Sequence, residues 1–154
     1  MSKMAGVLLT ANDSTAMFAP GTVYRASNGK KYKYVQHDNG VGNVAAVAGN
    51  FAYYYAPGGV SAGATTVVTS DLSDSAGVGA GVWQTAVTDQ YYGWVQISGS
   101  ATLTPALTAG ADGNALTPVG STDGALDVSA LVTDHIAAIA VDASAKIVLL
   151  TCPE

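Results

Sequence analysis

Charge is what this chain has least of. Lys and Arg total six and Asp and Glu eleven among 154 residues, or 11% charged, where ordinary soluble domains carry roughly 25%. With so few cations and a net charge of −5, there is little from which to build a phosphate-tracking surface, which argues against a nucleic-acid partner. Cysteine is down to Cys152 alone. No intramolecular disulfide can form, and a position third from the end reads as a strand-end thiol more than a reactive one. Two histidines, His37 and His135, complete the scarce set, and with Cys152 they offer no spacing that holds zinc. No Asp-rich loop alternates as a calcium site does, so neither metal nor other cofactor is expected. Long apolar runs are missing too. The start, Met1 to Thr10, has one charge and an apolar stretch that breaks at Asn12-Asp13, too short for a signal peptide or a membrane span. The expectation is a soluble protein, made in a cytoplasm, with no membrane partner.

What is present is small and neutral. Gly, Ala, Thr and Val are plentiful, and a surface made of them loses few hydrated charges when a partner covers it, so the composition favours assembly over a free monomer. At 15.4 kDa the chain suits one core. The reading is an extended N-terminal arm over residues 1–20 and a single β domain over 21–154. Five of the six cations, Lys3, Arg25, Lys30, Lys31 and Lys33, fall in the first 33 positions, and ten of the eleven acids follow them. The molecule is electrically two-ended, and the basic segment is either a solvated hairpin or a patch that docks on a neighbour.

Strand signals dominate the pattern. Thr22–Ser27 and Lys30–Gln36 flank Asn28-Gly29, which predicts a hairpin with a type I′ turn. Tyr32 and Tyr34 share one face, and Lys31, Lys33 and Val35 the other, where the lysines would also blunt a sheet edge. Further strands are expected at Phe51–Tyr55, before a turn at Ala56-Pro57-Gly58-Gly59, and at Thr65–Ser70, before a polar turn through Asp71, Ser73 and Asp74. Gly77–Trp83 carries alternate glycines, as a bend in a barrel wall requires. Tyr91–Gly99 alternates, with Val95 and Ile97 opposite Trp94, Gln96 and Ser98, and continues past a kink at Gly99. Residues 105–128 read as loops with one short strand near Ala115–Thr117. Ile136–Val141 and Lys146–Thr151 form a closing hairpin buried on both faces. A helix through Ser129–Val141 is the rival there, and a helical turn at Ser129–Asp134 stays open. The fold class is mainly β, a compact antiparallel barrel or sandwich with long Gly/Ala/Thr-rich loops and little helix.

Chemistry is harder to find. His37-Asp38 and Asp134-His135 are adjacent in sequence, but neighbouring strand residues point to opposite faces, so neither pair is a ready base and orienter. Gly40-Val41-Gly42-Asn43-Val44-Ala45 fits a relaxed dinucleotide fingerprint, yet the helix and the acid about 20 residues on are missing, which leaves a glycine-rich turn. Aromatics concentrate at Tyr53-Tyr54-Tyr55, Trp83, and Tyr91, Tyr92 and Trp94. With Tyr54 inward, Tyr53 and Tyr55 point out. They fill a barrel, or they form an interface or a sugar-stacking platform.

Several stretches carry a resemblance. Gly29–Gln36 runs into Asn39-Gly40; Val47-Ala48-Gly49-Asn50 follows; Gly81-Val82-Trp83 precedes Gln90–Gly99; and Ile136–Ala143 leads to a last apolar strand. In these the chain resembles the head decoration, or capsid cement, proteins of tailed bacteriophages. The resemblance implies a β-rich structural protein that forms a homotrimer, binds the major capsid protein on the outside of the assembled virion shell, and has no catalytic residues. The capsid or subunit interface is then expected among Arg25, Lys30, Lys31, Lys33, Tyr53, Tyr55, Trp83, Tyr91 and Trp94. The competing expectation is a carbohydrate- or receptor-binding β module of a phage tail or adhesin.

Overall fold

The computed structural model describes residues 6–57, 66–105, 107, 110–120 and 122–154. Ten strands form along them: β1 (Val23–Arg25), β2 (Lys31–His37), β3 (Phe51–Tyr55), β4 (Val67–Thr69), β5 (Ser75–Trp83), β6 (Tyr92–Thr102), β7 (Ala115–Thr117), β8 (Asp127–Val128), β9 (Ala138–Asp142) and β10 (Ile147–Thr151). A 3-10 turn, Leu72–Asp74, is capped by the Asp71 side chain. Of the expected features, Lys3, Gly58, Gly59 and Thr65 lie outside the described residues.

Five strands close a barrel in the order β2-β4-β3-β5-β6, with β6 returning to pair β2. The β2–β4 pair is parallel; the others are antiparallel. Strand β6 is the long one, and it serves two structures. Its first half pairs β2 and β5, with Lys33 opposite Val95 and Trp83 opposite Val95. Its second half pairs β10, from Thr151 opposite Ser98 to Ile147 opposite Thr102. From β10 the sheet continues through β9 and β7 to β8, outside the barrel.

Three cores follow from this layout. Val35, Ala52, Tyr54, Val68, Ala80, Trp83, Val95 and Ile97 fill the barrel. The opposite faces of β3 and β5, with Phe51, Tyr53 and Val82, pack beneath the outer sheet on Leu116, Ala138, Val148 and Leu150. The third core holds Tyr32, Tyr34 and Trp94, covered by Val7, Leu9, Ala11 and Phe18 of the N-terminal arm. Asp13 forms a two-hydrogen-bond bridge with Tyr92, at 2.9 Å each way. The Tyr34 hydroxyl ties the arm further, donating to Asp13 Oδ2 at 2.7 Å and accepting from the Met17 amide at 3.1 Å.

Several expectations need correction. The β1–β2 turn is a three-residue loop: Gly29 N donates to Ala26 O and Ala26 N to Lys30 O. Only Gly29 has positive φ, at 85°, as in a type I turn closed by a glycine bulge, whereas type I′ would need positive φ at both central residues. Strand β2 is paired on both sides, so its lysines blunt no edge. The closing hairpin is buried on one face, since Val141 and Leu149 are 53% and 45% exposed. No helix forms at Ser129–Val141; the Asp134 carboxylate accepts from the amides of Ala130 and Leu131, both at 2.9 Å, and fixes a turn. The region read as loops also contains β8.

The alternate glycines of β5 are used as close approaches. At Gly81, with φ 140°, a side chain would run into the Gln96 backbone of β6. A Cβ at Gly79 would sit 2.8 Å from Ala137 Cβ and from the Phe51 ring. Gly79→Ala is expected to cost about 3 kcal/mol, within the range of overpacked cores, and Gly113→Ala, at φ 85° but facing open space, about 1 kcal/mol. Urea denaturation of both variants reads the difference, and equal losses would contradict the packing described.

Candidate functional site

The interior of the barrel holds two polar groups where apolar side chains would be ordinary. Lys33, on the inward row of β2, is 4% exposed. Its ammonium donates to the Tyr54 hydroxyl at 2.9 Å and lies 5.1 Å from the centre of that ring. No carboxylate pairs with it among the described residues. At the end of β2, His37 is fully enclosed. Its Nε2 meets Asn39 Oδ1 at 2.7 Å, its ring stands edge-on to Trp83 at 5.4 Å, and Nδ1 has no partner among the described residues.

Beyond His37 the chain gathers carboxylates. Asp71 and Asp74 accept from the amides of Gly42 and Val41, both at 2.6 Å. The glycine-rich stretch is therefore a turn whose amides clasp the chain's own acids. A side chain at Gly40 or Gly42 would collide with the Asp71 carboxyl. Burial raises the Asp71 pKa, but the Ser73 hydroxyl and the Gly42 and Ser73 amides outweigh it and hold the group below its usual range. Burial, reinforced by Asp38, Asp74, Asp71 and Asp89, raises the Tyr55 phenol.

The nine expected interface residues separate into two groups. Lys33, Tyr53, Trp83 and Trp94 are each at most 4% exposed. Tyr53 packs under the outer sheet, its hydroxyl donating to Ala125 O at 2.5 Å, and Phe18 and Tyr24 stack edge-on against Trp94 beneath the arm. These four are engaged inside the chain. Arg25, Lys30, Lys31, Tyr55 and Tyr91 reach the surface. Arg25 meets Glu154 at 3.3 Å, and Lys31 binds the same carboxylate, so the C-terminal acid neutralises part of the basic hairpin. Alternation along β2 could not tell which face was inside, because both faces are covered: one by the barrel, the other by the arm.

The remaining scarce residues are spread apart. His135 Nδ1 accepts from the Gly79 amide at 3.3 Å, and burial pushes the Cys152 thiol up to about 12, which keeps it protonated. Among the described residues no three His, Cys, Asp or Glu side chains converge as a metal set would. No helix there is long and apolar enough to cross a membrane. A cleft of about 780 Å³ lies beside Asp112 and Lys146, with neither His37 nor Lys33 in its lining. No family model, curated protein or solved structure matches the chain.

Two expectations follow from the barrel interior. A buried ammonium with a single hydroxyl partner is costly to desolvate, so Lys33→Met is expected to be neutral or stabilising by about 1 kcal/mol. Tyr54→Phe strips the ammonium of that partner and is expected to cost about 1–3 kcal/mol. Denaturant midpoints of the two variants, measured together, check this opposition. Burial lowers the His37 pKa, against the opposing pull of Asn39, Asp89 and Asp38, and burial lowers that of His135. The folded state therefore resists protonation, and stability is complete above the unfolded pKa of roughly 6.5 and lost as pH falls below it. Unfolding free energy should drop between about pH 7.5 and pH 5.5, with a shallower slope in His37→Gln; an unchanged slope would remove His37 from the effect.

Proposed function

We propose that this chain is a structural virion protein that binds the outside of an assembled tailed-phage capsid as a homotrimer, contacting the major capsid protein and stabilising the shell. The observation that carries the reading is the uncharged outer face of the β10-β9-β7 sheet. Ser100, Leu149, Ile139 and Ala115 form a continuous cross-strand row there, with Val141 exposed on the same sheet. Leu131 and Val132 add a second exposed apolar tip. Apolar surface of this kind suits packing against protein neighbours. The scarcity of charge keeps its desolvation small, and a repetitive shell multiplies modest contacts through effective concentration. The likeness to capsid cement proteins from Gly29 onward points the same way. The role is non-enzymatic and needs no cofactor, with synthesis in the bacterial host cytoplasm and residence on the outer capsid surface.

The carbohydrate-stacking alternative relies on Tyr53, Tyr55, Trp83 or Trp94. Three of those four are enclosed by the chain, which leaves it Tyr55.

Native mass spectrometry together with binding to expanded, undecorated capsids tests the proposal. A trimer that saturates capsid sites is expected, with Leu149→Lys abolishing assembly or occupancy and Lys30→Glu reducing occupancy. Lys33→Glu does not serve this test, because it would place a carboxylate inside the barrel. A stable monomer that ignores capsids would overturn the reading.

A further inference from the structure

Where β5 parts from β6 and β10 takes its place, a cleft of about 320 Å³ opens, near the lower end of the size range of small-ligand sites. One wall is the Ala48-Gly49 loop. Thr104 holds it, its hydroxyl donating to Ala48 O at 2.6 Å and its amide to Gly49 O at 2.9 Å. The lining is polar but has no carboxylate.

Its side chains are set by the strands themselves. Gln96 is 4% exposed, and its Nε2 donates to the carbonyls of Ser98 at 3.1 Å and Ser100 at 2.9 Å. Two carbonyl partners fix which end of the amide is nitrogen, so Oε1 is the end left free. Gln84 is arranged alike, with Nε2 donating to Val82 O at 2.9 Å. Neither Oε1 has a partner among the described residues. Ser100 and Thr102 of β6 line the same cleft. Lys30 is the one charged residue of the lining, and its ammonium makes no hydrogen bond or ion pair among the described residues. Its stem lies over Gly99, where a Cβ would meet Lys30 Cγ at 3.0 Å and Gln96 Nε2 at 3.6 Å. The positive φ of 95° at Gly99 thus kinks β6 and brings the lysine beside the amide.

Two oriented amide oxygens accept hydrogen bonds from hydroxyl donors, and a lone ammonium without a counter-ion attracts an anion. We propose that this cleft binds a small hydroxylated carboxylate of the sugar-acid class. The carboxylate lies at Lys30, and the hydroxyls donate to Gln84 and Gln96. Trp83 adds an apolar stretch to the lining, and the site stands whether or not the chain decorates a capsid.

The full chain, labelled for amide and side-chain NMR, is titrated with glucuronate, its methyl glycoside and glucose. Saturable shifts at Lys30, Gln84, Gln96 and Ser100 are expected with the acids, and binding weaker by roughly tenfold with glucose. Equal binding of the free acid and the glycoside assigns the site to glycan chain ends; preference for the free acid assigns it to a soluble metabolite. Lys30→Met should reduce glucuronate binding to the level of glucose, and Gln84→Leu should weaken both, each with the rest of the spectrum preserved. Absence of saturable shifts at these residues with either acid, or equal binding of glucuronate and glucose, overturns the proposal.

Discussion

The structure depends on one strand being shared between two sheets. Strand β6 closes the barrel by pairing β2 and, a few residues later, starts the outer sheet by pairing β10. A straight strand could not hand over its neighbours in this way, because β5 must leave the edge of β6 that β10 then occupies. Two glycines permit the exchange. Gly81 lets β5 press against the Gln96 backbone without a side chain between them, and Gly99 bends β6 away through a positive φ. The cores on the two sides of β3 and β5 then form as consequences, with Tyr54 turned into the barrel and Phe51 and Tyr53 turned toward the outer sheet.

Much of this was legible in the sequence because it is local. Alternation separated Val95 and Ile97 from Trp94, Asn28-Gly29 marked a turn, and the alternate glycines marked close contact, all of which stand. What was not legible is non-local. Nothing near Lys33 announces that Tyr54 will lie across a closed barrel, and nothing near Tyr32 and Tyr34 announces that Ala11 and Phe18 will cover them. Period-2 patterning says which residues share a face; only the pairing of distant strands decides what that face meets. The type I′ turn failed for a smaller reason, since one added residue in the loop moves the positive φ to Gly29 alone. Of the nine interface candidates, the four now enclosed were chosen for residue type, and large aromatics serve cores and interfaces equally well.

Scarcity of charge takes on a different meaning once the positions are known. One of the six cations is spent inside the barrel and two converge on Glu154. The basic segment that looks like a patch in the sequence is mostly neutralised or buried in the fold. Lys30 alone of the hairpin's cations stands beside a cleft with no acid of its own. On the outer sheet the exposed large side chains, Val141 and Leu149, are apolar.

The order in which the chain leaves the ribosome bears on the shared strand. All five barrel strands are contained in residues 31–102, so the barrel can close while the outer sheet is still unmade. Until residues 103–154 arrive, the outward faces of Phe51, Tyr53 and Val82 lack the cover of Leu116, Ala138, Val148 and Leu150. The half-made protein therefore passes through a sticky stage whose length is set by translation speed, and partial chains of this kind are the natural clients of chaperones that shield apolar surface.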